Sequence, residues 1–175
     1  PFDILVANAG AAETAPFGKT QPEQFRRLFE LNVLGIVNCT QVLLPGMVAR
    51  KFGRVVAVAS TAGLKGYGYV SAYVASKHAV VGLVRSLAVE TAKSGVTVNA
   101  VCPSFTDTDL VRESVAAITK KTGRSEQDVI AQYVKDVPMA RLIKPEEVAA
   151  AVVYLCSVDA GAVTGTAITI AGGEI

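Results

Sequence analysis

The sequence is poor in the residues that build metal centres and disulfide frameworks. It has one histidine, His78, and three cysteines among its 175 residues. The cysteines Cys39, Cys102 and Cys156 are odd in number and lie far apart, so no disulfide framework is expected. Separated free cysteines are typical of a reducing compartment. We therefore expect no metal site and a cytoplasmic protein.

Charge is also scarce. Charged residues make up 18% of the chain and the formal net charge is +2, whereas globular domains commonly carry about 25% charged residues. So small a net charge gives no electrostatic attraction for nucleic acid or an anionic membrane. No apolar run approaches the roughly 18 residues of a membrane span. We expect neither nucleic acid nor a membrane among the partners.

Hydrophobic residues, by contrast, account for 51% of the chain and fall into two alternating patterns. Short runs rich in valine and isoleucine predict buried strands of a parallel sheet covered on both faces. Longer periodic segments between them predict helices, and the alternation indicates an α/β fold. The predicted strands are 4–7, 54–59, 97–102 and 166–170, and the predicted helices are 22–50, 71–93 and 145–156.

Three features qualify this pattern. Pro45-Gly46 predicts a kink or an end in the first helix. Residues 110–139 form a long polar insertion that predicts either a lid over a site or a solvated helical hairpin. The chain begins at Pro1, and a core strand follows at once. We expect either a processed chain or a larger protein that has lost its N-terminal part.

Tyr73 and Lys77 are a candidate pair for acid/base chemistry. They lie four residues apart in a predicted helix, so both side chains share one face. A phenol has an ordinary pKa near 10, too high for proton exchange at neutral pH, and a neighbouring ammonium lowers it by favouring the phenolate. The pair could act as a general acid/base, although the same spacing also arises by chance.

Polar residues at the strand ends strengthen this candidate. Ser60 ends the second strand, Asn8-Ala9-Gly10 follow the first, and Cys102-Pro103-Ser104 follow the third. In an open parallel sheet, ligands bind outside the carboxyl ends of the strands. Asn32 lies in the middle of a predicted helix, where asparagine is disfavoured because it competes for backbone hydrogen bonds. Together these residues predict one site at one edge of the sheet.

The same residues resemble the motifs of the short-chain dehydrogenase/reductase family. They occur in the family's order, with 13 residues from Ser60 to Tyr73, and the resemblance covers essentially the whole chain. The matching segments are Asn8-Ala9-Gly10, Asn32, Ser60, Tyr73 to Lys77, Asn99 to Pro103, Val163-Thr164-Gly165 and Gly172-Gly173.

The resemblance implies a three-layer, Rossmann-like, doubly wound parallel sheet. The chain would be a single partial domain over 1–175 that supplies strands 4 to 7, with the lid insertion at 110–139. The N-terminal strands and the glycine-rich turn for the cofactor pyrophosphate would be missing, and no GxGxxG motif is present. Residues 4–7 would then form an exposed sheet edge. We expect a cofactor-free chain whose loops at 11–20 and 110–139 are shifted or mobile.

In the resembled family, four residues would form the catalytic set. Tyr73 would exchange a proton with the carbonyl or alcohol oxygen. Lys77 would lower the pKa of Tyr73 and bind the nicotinamide ribose. Ser60 would hydrogen-bond the substrate oxygen, and Asn32 would hold a water that links Lys77 to solvent.

The implied cofactor is NAD or NADP, and the segment that sets this choice is absent. The implied contacts on the adenosine side are Asn8, Ala9 and Gly10, and those around the nicotinamide are Tyr73, Lys77, Pro103, Ser104, Thr106 and Thr108. Two positions depart from the family pattern. Ala7 stands where an asparagine is usual, and Ser104 stands where a glycine is usual, so its hydroxymethyl group would narrow the nicotinamide side.

The resemblance predicts an oxidoreductase that acts on a secondary alcohol or ketone. The insertion resembles the lid of members that act on 3-hydroxybutyrate or 3-hydroxyacyl compounds. One alternative is a truncated, inactive chain that serves only in assembly. A hydrolase using Ser60 is another, but it lacks the GxSxG and SxxK motifs. Apolar residues on several faces of the first two helices, which pair across a two-fold axis in the family, predict a homodimer or homotetramer.

Overall fold

Four parallel strands form the centre of the structure. They pair in the order β1-β2-β3-β4, which confirms the predicted parallel sheet. The computed structural model describes every residue from Pro1 to Ile175. The strands are β1 (Ile4–Ala7), β2 (Gly53–Val58), β3 (Val96–Pro103) and β4 (Ala167–Ile170), each within one residue of its predicted bounds.

Helices cover both faces of this sheet and make three layers. Alternate residues of β2 and β3 point to opposite faces. The helices are α1 (Pro22–Phe29), α2 (Gly35–Arg50), α3 (Ser71–Thr91), α4 (Asp109–Thr122), α5 (Glu126–Tyr133) and α6 (Pro145–Cys156). Val55 and Val98 pack with α2 and α3, while Val56 and Val101 pack with α6. The expected doubly wound α/β fold is thus confirmed.

The helix does not end at Pro45-Gly46, one of the two expected outcomes, because α2 continues to Arg50 with Pro45 inside it. Proline removes one backbone N–H and leaves the carbonyl four residues earlier without a helical partner. That carbonyl belongs to Gln41, and both Gln41 and Pro45 lie on the exposed side of the helix. Water can satisfy the freed carbonyl there, so the helix tolerates the proline.

The insertion at 110–139 contains α4, a short connection at Gly123, and α5. Each helix buries one valine, Val115 and Val129, so the segment is folded onto the domain. Tyr133 at the end of α5 stacks on Phe105 with ring centroids 4.6 Å apart. The stacking places α5 beside the residues that follow β3.

β1 is an edge strand that pairs only with β2. Its Ile4 and Val6 residues are 46% and 42% exposed, which agrees with the expected open edge.

One helix, the continuous run Pro22–Arg50, is long and apolar enough by length and composition to cross a membrane. This is a weak indication, because core helices and signal sequences pass the same test.

Candidate active site

The carboxyl ends of the strands bring the predicted site residues to one edge of the sheet. Asn8, Ala9 and Gly10 leave β1 and are exposed there. Ser60 follows β2 and begins a 3-10 turn, in which its Oγ accepts a hydrogen bond of 3.0 Å from the Ala62 N–H. The Ser60 O–H remains free to donate to a ligand.

Asn32 lies beneath this edge, fully buried, in a π-helical segment, Glu30–Leu34, between α1 and α2. Such segments insert one residue into a helix and often mark functional sites. The Asn32 side chain accepts from the Ala11 N–H at 2.9 Å and donates to the Ala11 carbonyl and to Ser76 Oγ, both at 3.0 Å. Both amide N–H groups are therefore used within the protein, and the side chain has no donor left for the expected water.

Lys77 reaches the same place from α3. Its side chain is buried, with the residue 5% exposed, and Nζ donates to the Val58 carbonyl at 2.9 Å. An ammonium has three donors, and this is its one hydrogen bond to the protein. Burial lowers the pKa of Lys77 to about 8, because desolvation disfavours the charged form. Below pH 8 the site thus holds a buried ammonium with two donors available to a ligand.

Tyr73 lies one turn before Lys77 on α3, and the Lys77 ammonium sits 5.7 Å from the centroid of its ring. Burial raises the pKa of Tyr73, and the nearby Ser60 hydroxyl lowers it by a smaller amount. No hydrogen bond of ordinary geometry joins Ser60 to Tyr73. The phenol is therefore protonated at neutral pH, as a proton donor must be, and Lys77 contributes no lowering of its pKa here.

Cys102 is a further titratable group beside this centre. It is fully buried in β3, and burial raises the pKa of its thiol. The cysteine is therefore a protonated, packed residue and no nucleophile. The structure brings together no group of three or more His, Cys, Asp or Glu side chains that could hold a metal.

The edge fits a dinucleotide at two points, one on the expected adenosine side and one at the expected nicotinamide ribose. A Cβ on Gly10 would lie 3.1 Å from Asn32 Oδ1 and 3.5 Å from Lys77 Nζ, so only a glycine leaves the backbone open above these groups. The free donors of Lys77 suit the hydroxyl oxygens of a ribose. The residues present therefore fit such a group.

The hydroxyl groups of the threonines predicted around the nicotinamide are already hydrogen-bonded within the protein. Thr106 Oγ1 donates to the Ser104 carbonyl at 2.9 Å, and Thr108 Oγ1 donates to the Thr106 carbonyl at 3.3 Å. Pro103 is the last residue of β3. The structure thus places these residues beside the site, with both threonine hydroxyls engaged in their own loop.

Sequence reasoning missed Glu174, a buried carboxylate beside the site. Its side chain is 3% exposed and pairs with Lys65 Nζ at 2.9 Å. Tyr67 Oη donates to it at 2.6 Å, and Ser104 Oγ donates to its other oxygen. The one signal in the sequence was Ser104 itself, which stands where the resembled family has glycine.

Known proteins are similar to this chain over nearly all of its length. A family model described as enoyl-(acyl carrier protein) reductase matches residues 1–174. An acetoacetyl-CoA reductase of Rhizobium meliloti (strain 1021) is 41% identical over 174 residues, which are 99% of this chain and 68% of the relative.

Solved structures agree with this comparison. Actinorhodin polyketide ketoreductase with NADPH superposes with a TM-score of 0.93 at 35% identity, covering 99% of this chain and 67% of that one. An oxidoreductase of the short chain dehydrogenase/reductase family from Burkholderia thailandensis gives 0.88 at 31% identity, with 98% and 64% covered. The chain therefore spans about two thirds of the length of these proteins.

Proposed function

This chain belongs to the short-chain dehydrogenase/reductase family. On that premise, we propose that it carries the proton-transfer residues of an oxidoreductase site that interconverts a ketone and a secondary alcohol. The observation that carries the proposal is the buried Lys77 ammonium, 5.7 Å from the Tyr73 ring, with two donors unused. A buried charge with unused donors is costly unless a ligand takes them.

Tyr73 is the group that moves a proton. Its raised pKa keeps the phenol protonated, so Oη gives a proton to the carbonyl oxygen during reduction and receives one from the alcohol during oxidation. The free O–H of Ser60 donates to the same oxygen and holds it in place. Lys77 stabilises the phenolate that remains after proton transfer, because its charge is close and shielded from water.

Asn32 acts on this set through α3. Its bond to Ser76 fixes the residue next to Lys77, and its bonds to Ala11 fix the loop after β1. The bond to Ser76 is buried and the two bonds to Ala11 are partly buried, so Asn32 links the loop after β1 to the helix that carries Lys77. Asn32 is thus a positioning residue in this proposal.

The cofactor class is a nicotinamide dinucleotide, which supplies or accepts the hydride when bound. We propose NADP rather than NAD, because the similar ketoreductase was solved with NADPH. Lys77 would hold the ribose, and the open backbone at Gly10 would admit the adenosine side together with Asn8 and Ala9. The segment from Pro103 to Thr108 would flank the nicotinamide.

We propose a 3-ketoacyl or 3-hydroxyacyl compound as substrate. The acetoacetyl-CoA reductase relative acts on a compound of this class by its name, and the α4–α5 insertion resembles lids of members with such substrates. Tyr67, Phe105 and Tyr133 form an aromatic wall beside the site. Such a wall suits an acyl chain better than a charged group.

We also propose a cytoplasmic homodimer or homotetramer. Apolar side chains remain uncovered on two sides of the protein: Val42 of α2 is 78% exposed and Val89 of α3 is 82% exposed, while Val153 of α6 and the following Val158 are 69% and 74% exposed. Exposed apolar surface of this kind marks contact sites. Light scattering at micromolar concentration tests the proposal, and a monomer would contradict it.

The function is tested by assaying the full-length protein with NADPH and NADH against a panel of ketones that includes 3-ketoacyl thioesters, free 3-keto acids and simple cyclic ketones. Oxidation of NADPH that depends on a 3-ketoacyl thioester supports the proposal. Turnover of cyclic ketones alone would overturn the substrate class, and no turnover with any ketone would overturn the activity.

A further inference from the structure

Glu174 joins three separate segments at the carboxyl edge of the sheet. It follows β4, yet it contacts Lys65 and Tyr67 from the loop after β2 and Ser104 from the segment after β3. Gly172 and Gly173 make this possible, because both have positive φ, 57° and 90°, and turn the chain back under the site.

The directions of these hydrogen bonds follow from the chemistry of the groups. A carboxylate only accepts, so the Tyr67 and Ser104 hydroxyls both donate to Glu174. Although burial raises the pKa of Glu174, hydrogen bonds from Ser104, Tyr67 and Lys65 outweigh it and hold this pKa below its usual value. Tyr67 has spent its only proton, so Thr61 must donate the bond of 2.6 Å between the two hydroxyls.

A fixed chain of contacts therefore runs from Glu174 to the reacting centre. Tyr67 ties Glu174 to Thr61, the neighbour of Ser60, and its ring meets Phe105 edge to face at 6.2 Å. Ser104, the residue after Pro103, ties Glu174 to the carboxyl end of β3. The carboxylate thus holds the walls on two sides of the place where a ligand would contact Ser60.

We infer that Glu174 is a positioning residue that sets the shape of the acyl pocket, acting through Tyr67 and Ser104. This inference rests on the proposed function and deepens it. It also explains Ser104, because a glycine at this position would have no hydroxyl to donate to the buried carboxylate. Lys65, the cation on this wall, is neutralised by Glu174, so the pocket favours an uncharged acyl group over a free carboxylate.

The test is a double-mutant cycle in the full-length protein with Glu174→Ala, Ser104→Ala and the pair, plus Glu174→Gln. Glu146→Gln, an exposed carboxylate in α6, is the control. We expect Glu174→Ala to raise KM for the 3-ketoacyl thioester about tenfold while the pH profile of kcat stays unchanged, because Tyr73 and Lys77 are not touched. The double variant should raise KM no further than Glu174→Ala alone does.

Glu174→Gln should recover most of the affinity, since its amide still accepts from one hydroxyl and hydrogen-bonds the other. Unchanged KM in Glu174→Ala, or strictly additive losses, would overturn the inference. If Glu174→Ala does not fold, Ser104→Ala alone decides, because an unchanged KM there is equally contradictory. A parent protein inactive on every ketone would contradict the proposed function, whereas an active parent with unaffected variants would contradict only the role of Glu174.

Discussion

Asn32 donates a hydrogen bond of 3.0 Å to Ser76, the residue that precedes Lys77 in α3. The contact joins residues 44 positions apart and is fully buried. It connects the π-helical segment after α1 to the helix that carries Tyr73 and Lys77. The irregular helix and the candidate proton-transfer pair therefore form one unit.

Replacing Asn32 by alanine should destabilise the protein by roughly 3 kcal/mol, because the buried Asn32 side chain loses three hydrogen bonds and Ala11 keeps unsatisfied backbone groups. Urea unfolding measures this difference. Asn38→Ala, on the exposed side of α2, is the matched control and should stay within about 0.5 kcal/mol of the parent. Equal effects of the two variants would mean that the Asn32 network contributes nothing to stability.

Tyr73→Phe should reduce turnover by about 10²- to 10⁴-fold with little change in Tm, because the ring is kept and only the proton donor is removed. Steady-state kinetics and thermal unfolding of the same sample measure both. Tyr154→Phe, in the half-exposed C-terminal turn of α6, controls for loss of a phenol in general. Near-parental turnover of Tyr73→Phe would remove Tyr73 from the mechanism.

Lys77→Met should abolish activity and yet stabilise the fold at neutral pH. The pKa of Lys77 falls from 10.5 to about 8 on folding, which corresponds to roughly 3 kcal/mol of destabilisation at 1.36 kcal/mol per pKa unit. Loss of the bond to Val58 offsets part of this, so we expect a net gain of about 1 to 3 kcal/mol.

The lowered pKa of Lys77 sets the sign of the pH dependence of the free energy of unfolding. The unfolded chain binds more protons than the native state between pH 8 and 10.5, so the parent gains stability as pH rises through that window. The gain in unfolding free energy of Lys77→Met over the parent should therefore be largest below pH 8 and shrink above it. Urea unfolding at two pH values checks this, and a constant difference would contradict the buried ammonium.

Gly10→Ala should weaken cofactor binding at least tenfold, because the new Cβ would crowd Asn32 Oδ1 at 3.1 Å and cover Lys77 Nζ. Fluorescence titration with NADPH measures it in the full-length protein. Gly18→Ala, where a Cβ meets nothing within 4 Å, is the matched control. Equal dissociation constants for the two variants would show that no ligand passes over Gly10.

Local chemistry explains what the sequence could predict. Asparagine is a poor helix residue, so Asn32 marked the π-helical distortion, and runs such as Arg54 to Ala59 marked buried strands. Tyr73 and Lys77 were found because helical spacing places them together. The continuation of α2 through Pro45 could not be predicted, because no local rule shows that this proline lies on the exposed side of the helix.

Long-range contacts explain the rest. Tyr67 and Glu174 are 107 residues apart, and no periodicity relates them. The burial that lowers the pKa of Lys77 and raises that of Tyr73 comes from elements distant in sequence. A spacing rule cannot show that burial outweighs the effect of the neighbouring charge on the phenol.

The most direct test of the account is isotope transfer in the full-length protein. Reduction of a 3-ketoacyl thioester with NADPH deuterated at the transferring position of the nicotinamide, followed by mass spectrometry of the product, measures hydride transfer itself. We predict one deuterium at the new carbinol carbon in the parent and almost no labelled product in Tyr73→Phe. Unlabelled alcohol from the parent, or equal labelling in Tyr73→Phe, would contradict the account.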